Sequence, residues 1–338
     1  MTSNKPASAL DTGTLDTDTL ATHIQKHPYQ TLIDGLTAAR RHIDPKYFYD
    51  HRGSGLFEQI TRLPEYYPTR TERQILHDAC DEIGHCAGRG RLLIEPGAGA
   101  CKKVRALLNA LRPAAYVPMD ISAEHLQQAA AELDRDFSWL RVMPLALDHS
   151  QPFTLPPGLP DAPRLLFYPG STIGNLSPEQ ARQFLVRLRQ IAGAEGGLLI
   201  GVDLDKNPRI LSAAYNDASG VTAAFNRNIL NHVNHLLSAN FDPDAFLHHA
   251  FYNEAQHRIE MHLVSRRPQR VRFEGGELTF MRGDSIHTEN SYKYTLDSFE
   301  ALAASAGWQR ASHWLDGERL FSVQYFRAAA ADRLTSDA

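Results

Sequence analysis

Between Arg89 and Asp205 the chain alternates short continuous apolar runs with stretches that repeat an apolar residue every third or fourth position. Arg91-Leu92-Leu93-Ile94-Glu95 is bounded by glycines and has the pattern of a strand buried on both faces. After a glycine turn, Val104, Leu107, Leu108 and Leu111 fall at i, i+3, i+4 and i+7 and predict a helix with one apolar stripe, ended by Pro113. Tyr116 to Met119 predicts a second strand closing on Asp120, and a helix capped by Ser122 carries Leu126, Ala130 and Leu133. Leu140 to Met143 and Arg164 to Tyr168 are read as the third and fourth strands. Ser177-Pro178-Glu179-Gln180 combines capping-box spacing with Pro at the first helical position, and Gly197 to Asp203 is a fifth strand. This alternation predicts an α/β fold with a doubly wound parallel sheet and ligands at the carboxyl ends of its strands.

After Asp205 the texture changes. Pro208 to Leu237 reads as mostly helical, while Ala250 to Arg266 and Gln269 to Met281 read as strands joined by Arg267-Pro268 and Glu274-Gly275-Gly276 turns. Leu296 to Ala306 is again helical, and Arg310 to Leu315 with Arg319 to Phe326 suit an antiparallel hairpin on the sheet edge. The expected division is a cofactor domain from residues 71–205 and 295–328 and an inserted α+β substrate domain from residues 28–70 and 206–294. Residues 1–27, rich in Thr, Ser, Asp and Ala, are expected to form a flexible tail.

Composition narrows the function classes. Lys and Arg, 35 together, are outnumbered by 39 Asp and Glu, for a net charge of -4; this gives no footprint for a phosphate backbone, and no nucleic-acid partner is expected. No apolar run approaches the roughly 18 to 20 residues that span a bilayer. No signal peptide is legible, so the expected setting is cytoplasmic, without a membrane partner. Three cysteines cannot all pair within one chain. His77, Cys80, His85 and Cys86 match none of the usual paired zinc spacings, and no metal is assigned. A monomer is expected.

The turn after the first strand, Glu95-Pro96-Gly97-Ala98-Gly99-Ala100, places glycines where backbone must approach a ligand closely. It lacks the third glycine of nicotinamide-binding loops, since Lys102 stands there. A short acidic-x-Gly-x-Gly loop suits S-adenosylmethionine, which has no pyrophosphate to cradle. Asp120, closing the next strand, is placed to accept from both ribose hydroxyls. Asp148, after the third strand, is a candidate for the adenine amino group; a plain loop acid is the other reading for each Asp. The candidate cofactor set is therefore Glu95, Gly97, Gly99, Lys103, Asp120 and Asp148.

Longer strings carry a more specific resemblance. Tyr47-Phe48-Tyr49-Asp50, Leu63-Pro64-Glu65-Tyr66-Tyr67-Pro68-Thr69-Arg70, Gly170-Ser171-Thr172-Ile173-Gly174-Asn175-Leu176, Tyr215-Asn216-Asp217, Gly220 to Asn228, Arg258-Ile259-Glu260-Met261 and Thr288-Glu289-Asn290-Ser291-Tyr292-Lys293-Tyr294 resemble the histidine Nα-methyltransferases of ergothioneine biosynthesis, over roughly residues 40 to 327. The resemblance implies a class I methyltransferase sheet with an inserted substrate domain. It also implies up to three methyl transfers from S-adenosylmethionine to the α-amino nitrogen of L-histidine, giving hercynine. It assigns Tyr66, Asn175 and Tyr215 to the substrate's carboxylate and amino group, Glu289 and Ser291 to the imidazole, and Tyr49 to the reacting amine. Lys103 matches a family lysine, whereas the loop's Ala98, Ala100 and Cys101 stand where Ser and Thr are usual.

The chemistry is plausible without the family. A lone pair attacking a sulfonium methyl in line needs mainly aim. Glu289 can accept an imidazole N–H, and Ser291 can donate to or accept from the other ring nitrogen. Tyr49, Tyr66 and Phe225 can face a growing ammonium, and the resemblance places Met261 in the lining of the substrate pocket. Plainer readings stand beside these: Phe225 and Met261 as core, Tyr66 as part of a packed turn, Glu289 as a solvated charge. Two other functions fit the same motifs, N-methylation of another aromatic amino acid such as a tryptophan derivative, and a non-catalytic cofactor-binding regulator.

Overall fold

The computed structural model describes residues 28–149 and 151–329; the expected tail at residues 1–27 lies outside them. Five strands, β1 Leu92–Pro96, β2 Ala115–Asp120, β3 Leu145–Ala146, β4 Arg164–Tyr168 and β5 Gly197–Asp203, run parallel within a seven-stranded sheet. Numbering the final strands β11 Trp308–Leu315 and β12 Phe321–Ala328, the order across it is β11-β12-β5-β4-β1-β2-β3, and β12 pairs antiparallel with both β5 and β11. Every residue of β1 and β5 is buried. Their successive side chains point to opposite faces, so Leu93 and Leu199 join an apolar cluster on one side while Leu92, Ile94, Leu198 and Ile200 join another on the other side. That two-sided burial is why these strands read as uninterrupted apolar runs.

Two expectations in this half are corrected. The third strand is β3, not Leu140 to Met143: Val142 makes only an isolated bridge to Tyr116 and the ladder proper joins Met119 and Asp120 to Leu145 and Ala146. The helix expected from Val104 to Leu111 is a 3-10 turn, Val104–Ala106, followed by a single turn, Leu108–Leu111, closed by Arg112 in the left-handed region (φ 41°). The chain leaves the cofactor loop in a tight path that does not match a regular helical repeat. The capping box at Ser177 is present, with Pro178 at its first position.

The remaining strands are β6 Phe246–Asn253, β7 Arg258–Ser265, β8 Gln269–Phe273, β9 Gly276–Phe280 and β10 Ser285–Tyr292; they form a separate three-stranded antiparallel sheet, β10-β7-β6, and the hairpin β8-β9. The stretch Pro208 to Leu237, read as mostly helical, holds two helices, Pro208–Ala214 and Val221–Leu237. Asp217 ends the break, its carboxylate accepting from the backbone N–H groups of Val221 and Thr222 at 2.8 Å each. A third apolar cluster joins side chains from residues 32–67 to side chains from residues 211–286. The early segment is stitched to β10 by the Ile43 N–H donating to the His287 carbonyl at 2.9 Å.

The helix Tyr67–Asp78 crosses to the seven-stranded sheet and delivers Glu72, 1% exposed, to β5 and the turn after β4. A Cβ at Gly201 would lie 1.9 Å from the Glu72 carboxylate. Gly201→Ala should therefore destabilise the chain by about 1 to 3 kcal/mol, as overpacking does. It should also weaken cofactor binding by displacing Glu72, and urea unfolding with cofactor titration checks both.

Candidate active site

The carboxyl ends of β1, β2, β4 and β5 converge on one edge. After β1, Gly97 takes φ 72°, and a side chain there would meet the His149 ring at 3.1 Å. The loop is fastened to the next strand: the Ala98 N–H donates to the Met119 carbonyl at 2.9 Å and the Gly99 N–H to Asp120 Oδ2 at 3.0 Å. Asp120 Oδ1 accepts from the Ser122 N–H at 3.0 Å, which leaves half of the carboxylate's acceptor sites for a ligand. Glu95 is 2% exposed, receives the Tyr116 hydroxyl at 2.5 Å, and burial pushes its pKa up to about 8. Lys103 pairs with Glu72 at 2.5 Å, and the same carboxylate accepts the Gly170 N–H at 2.7 Å. Gly170 has φ 86°, and a Cβ there would lie 2.9 Å from the Lys103 ammonium. Asp148 pairs with Lys46 at 3.2 Å.

Across from this edge, β10 carries a bulge between His287 and Glu289, so that Glu289 pairs opposite Met261 and Ser291 opposite Ile259. Without the extra residue Glu289 would fall opposite Glu260, like charges on the other face. The bulge is held by the Thr288 hydroxyl donating to Asn226 Oδ1 at 2.7 Å and by the His287 ring N–H donating to the Glu289 carbonyl at 2.9 Å. Glu289 thus turns inward. Its carboxylate makes no hydrogen bond among the described residues, and burial pushes its pKa up to about 7 against the opposing pull of Lys293. The opposite face carries Glu260, His262 and His287 close together. The two imidazoles stack at 4.6 Å and 13°, so their in-plane lone pairs run side by side rather than toward one ion.

Tyr215, in the break between the two helices, donates its hydroxyl to Ser291 Oγ at 2.9 Å. Tyr66 stands edge-on to the Tyr215 ring with centroids 6.4 Å apart, and burial, reinforced by Tyr215, Glu289 and Tyr49, holds its phenol well above the ordinary value. Tyr49 lies at the rim, 41% exposed; burial first, then Glu289, Tyr215 and Asp120, raises its pKa as well. Asn175 ends the 3-10 turn Thr172–Asn175, which runs beside β10: a Cβ at Gly174 would lie 2.8 Å from the Tyr292 carbonyl and 3.6 Å from Ser291 Oγ. The hydroxyls of Tyr49 and Tyr66 and the amide of Asn175 also lack hydrogen bonds among the described residues. Phe225, 3% exposed, stacks on Phe48 at 4.5 Å and backs Tyr49 at 6.0 Å; Met261, 1% exposed, lies in the apolar cluster beside Glu289.

Several residues of this region were not picked out in the sequence. Asp203, at the end of β5, accepts from Lys293 at 2.7 Å, Lys206 at 2.6 Å and the Tyr67 hydroxyl at 2.8 Å. Glu72 anchors Lys103, and His149 covers the glycine loop. Tyr67 and Lys293 lay inside the resembling strings, where their polarity amid apolar neighbours was the available signal. Nothing local marks Glu72, whose partners Lys103 and Gly170 lie 31 and 98 residues along the chain.

A seven-stranded sheet of this order, with a glycine loop after its first strand and an acid after its second, defines a class I S-adenosylmethionine-dependent methyltransferase. The match is specific: residues 29–328 fit the family described as histidine-specific, S-adenosylmethionine-dependent methyltransferases, and the chain belongs to that family. It is 43% identical to histidine N-alpha-methyltransferase of Mycolicibacterium smegmatis over 83% of this chain and 89% of that protein. It is 42% identical to the protein of the same name in Mycobacterium tuberculosis, over 84% and 90%. Ergothioneine biosynthesis protein 1 of Neurospora crassa is 29% identical over 80% of this chain and 31% of its own length. The chain is therefore an enzyme, and its cofactor is S-adenosylmethionine. Among the described residues no helix is long and apolar enough to cross a membrane.

Glu289 predicts a pH effect on stability. Its folded pKa of about 7 stands above the ordinary 4.5. As pH rises between these values the unfolded chain gives up its proton first, so stability falls across that window and the deficit is complete above about 7. Glu289→Gln removes the group. The variant should gain on the native chain between pH 5 and pH 8 by at most about 3 kcal/mol, one pKa unit being worth about 1.4; denaturant titration at both pH values measures it.

Proposed function

We propose that this enzyme methylates the α-amino nitrogen of L-histidine up to three times, giving hercynine. One observation carries the choice of histidine. Glu289 and Ser291 stand two residues apart on one face of β10, the first a half-buried carboxylate with no hydrogen-bond donor among the described residues, the second a hydroxyl that accepts twice and keeps its own proton. A neutral imidazole offers an N–H and an unprotonated nitrogen, one for each. An indole has a single N–H and would leave Ser291 unanswered, which disfavours a tryptophan derivative.

The roles of the other residues follow from what each has left to offer. Tyr66 and Asn175, without side-chain hydrogen bonds among the described residues, donate to the substrate carboxylate. Tyr215 spends its proton on Ser291, so toward the substrate it presents an acceptor, which suits the amino group. Tyr49 keeps its proton because its pKa is raised; it orients the amine through its hydroxyl and does not act as a phenolate base. The rings of Tyr49, Tyr66 and Tyr215, with Phe225 behind, tolerate a nitrogen that becomes a permanent cation.

On the cofactor side, Gly97 and Gly99 give the methionine portion backbone access, Lys103 meets its carboxylate, Asp120 takes the ribose hydroxyls and Asp148 the adenine amino group, while Glu95 steadies the loop from below. The free acceptor sites of Asp120 and the open space beside Gly99 fit that ligand. When bound, S-adenosylmethionine supplies an electrophilic methyl on a sulfonium. The protein's share is then aim, exclusion of water and the absence of a competing nucleophile. Asp203 and Glu72 are neutralised by lysines, so neither bare anion competes for the cationic centre.

Mass analysis after incubation with S-adenosylmethionine and each free amino acid should show one, two and three added methyls on histidine alone; no gain on histidine rejects the proposal. Glu289→Ala should abolish the preference for histidine while cofactor affinity holds. Tyr49→Phe should keep histidine affinity within a few-fold and lower kcat roughly 10- to 100-fold, the scale of a misaimed reactant, measured in single-turnover assays.

A further inference from the structure

The Ser291 hydroxyl is unusually constrained. It is 4% exposed and receives two hydrogen bonds, from the Lys293 ammonium at 2.8 Å and from the Tyr215 hydroxyl at 2.9 Å. A hydroxyl has two lone pairs and one proton, so both of its acceptor sites are spent. Lys293 cannot turn away: it is 1% exposed and ion-paired at 2.7 Å with Asp203, itself 1% exposed. Its third proton points to the Tyr215 oxygen at 3.4 Å. Ammonium, phenol and serine together carry five protons. Asp203, Ser291 and Tyr215 absorb four of them, and the fifth belongs to Ser291. Lys293 also donates to the Tyr215 oxygen, so reversing the Tyr215–Ser291 bond would make that oxygen accept twice and leave the phenol proton without a partner in the cluster.

We infer that Lys293, held by Asp203, and Tyr215 act as specificity-determining positioning residues: by saturating Ser291 they make it a hydrogen-bond donor only, so the pocket selects a ring that is uncharged and presents one N–H to Glu289 and one bare nitrogen to Ser291. This rests on the histidine reading above and deepens it. Without the saturation, Ser291 could equally accept from a second N–H, and a doubly protonated ring would fit as well. With it, such a ring sets donor against donor in a buried site, where an unanswered polar group carries its full desolvation penalty. The selected form is one neutral tautomer, although Glu289 alone would favour the imidazolium.

The test is calorimetric titration at pH 8, where the ring of histidine is uncharged, with S-adenosylhomocysteine present to prevent turnover. Three ligands are compared: histidine; β-(pyrrolyl)alanine, which keeps one N–H and has no bare nitrogen; and the 2-imidazolone analogue, which has two N–H groups. The wild-type enzyme should prefer histidine over either analogue by roughly 10-fold or more. In Ser291→Ala the penalty on the pyrrole should shrink to within about threefold. In Lys293→Met, a residue that does not touch the ring, histidine's lead over the imidazolone should fall at least about fivefold because Ser291 regains a lone pair. Tyr215→Phe frees the other lone pair without disturbing the buried ion pair and should act in the same sense, which keeps the test decisive if Lys293→Met fails to bind cofactor. Equal weakening of all three ligands in both variants means a structural role only and overturns the inference. So does wild-type binding of the pyrrole within threefold of histidine. No histidine binding at all rejects the underlying substrate assignment and this inference with it.

Discussion

The site depends on one buried anion. Asp203 ends β5, and around it meet a lysine from the segment following β10, a lysine from the loop it opens and a tyrosine from the helix that also delivers Glu72. Burial alone would raise its pKa, but Lys293 and Lys206 outweigh that and hold the carboxyl below its ordinary value, while Asp203 in turn holds Lys293 above its own. Desolvating such a cluster costs as much as its mutual attraction returns, so its worth lies less in net stability than in geometry. Removing the central charge would leave two buried ammoniums facing each other, a loss of the order of 3 to 5 kcal/mol. Asp203 thereby ties the end of the seven-stranded sheet to the segment that follows β10.

The consequence for electrostatics is a division among the acids. Asp203 and Glu72 carry lysines, whereas Glu95 and Glu289 carry none, and burial raises both of the latter. Glu95 meets its penalty locally, through the Tyr116 hydroxyl and a proton of its own near neutrality. Glu289 has no such answer among the described residues. A carboxylate left in that condition is a place where the chain gives up stability that only a ligand restores, a common trade at functional sites.

The buried core of the sheet was legible because strands covered on both faces must be apolar throughout, and because the capping box at Ser177 depends only on neighbours in sequence. What escaped depended on distance. β3 is two residues long and too short to leave a pattern. The irregular path after Cys101 (φ 50°) is set by the loop's attachment to Asp120 rather than by its own periodicity. The family strings pointed to Glu289 and Ser291, yet the reason those residues face inward is a bulge at Thr288 that period-two reasoning cannot foresee. Ser291 was open to donating or accepting in the sequence; only the placement of Lys293 and Tyr215 removes one of the two.

That last point bears on how selectivity arises here. A carboxylate such as Glu289 is attracted to any cationic or N–H-bearing ring, so on its own it discriminates weakly. Discrimination comes from a second group that can do only one thing, and making a hydroxyl do only one thing requires that its other options be occupied by residues that never meet the ligand. On the proposed reading, the ion pair of Asp203 with Lys293 would thereby also sharpen how the pocket reads the substrate ring. A change at Asp203 or Lys293 would propagate to both properties at once, because the same ammonium closes the core and fills the serine's lone pair.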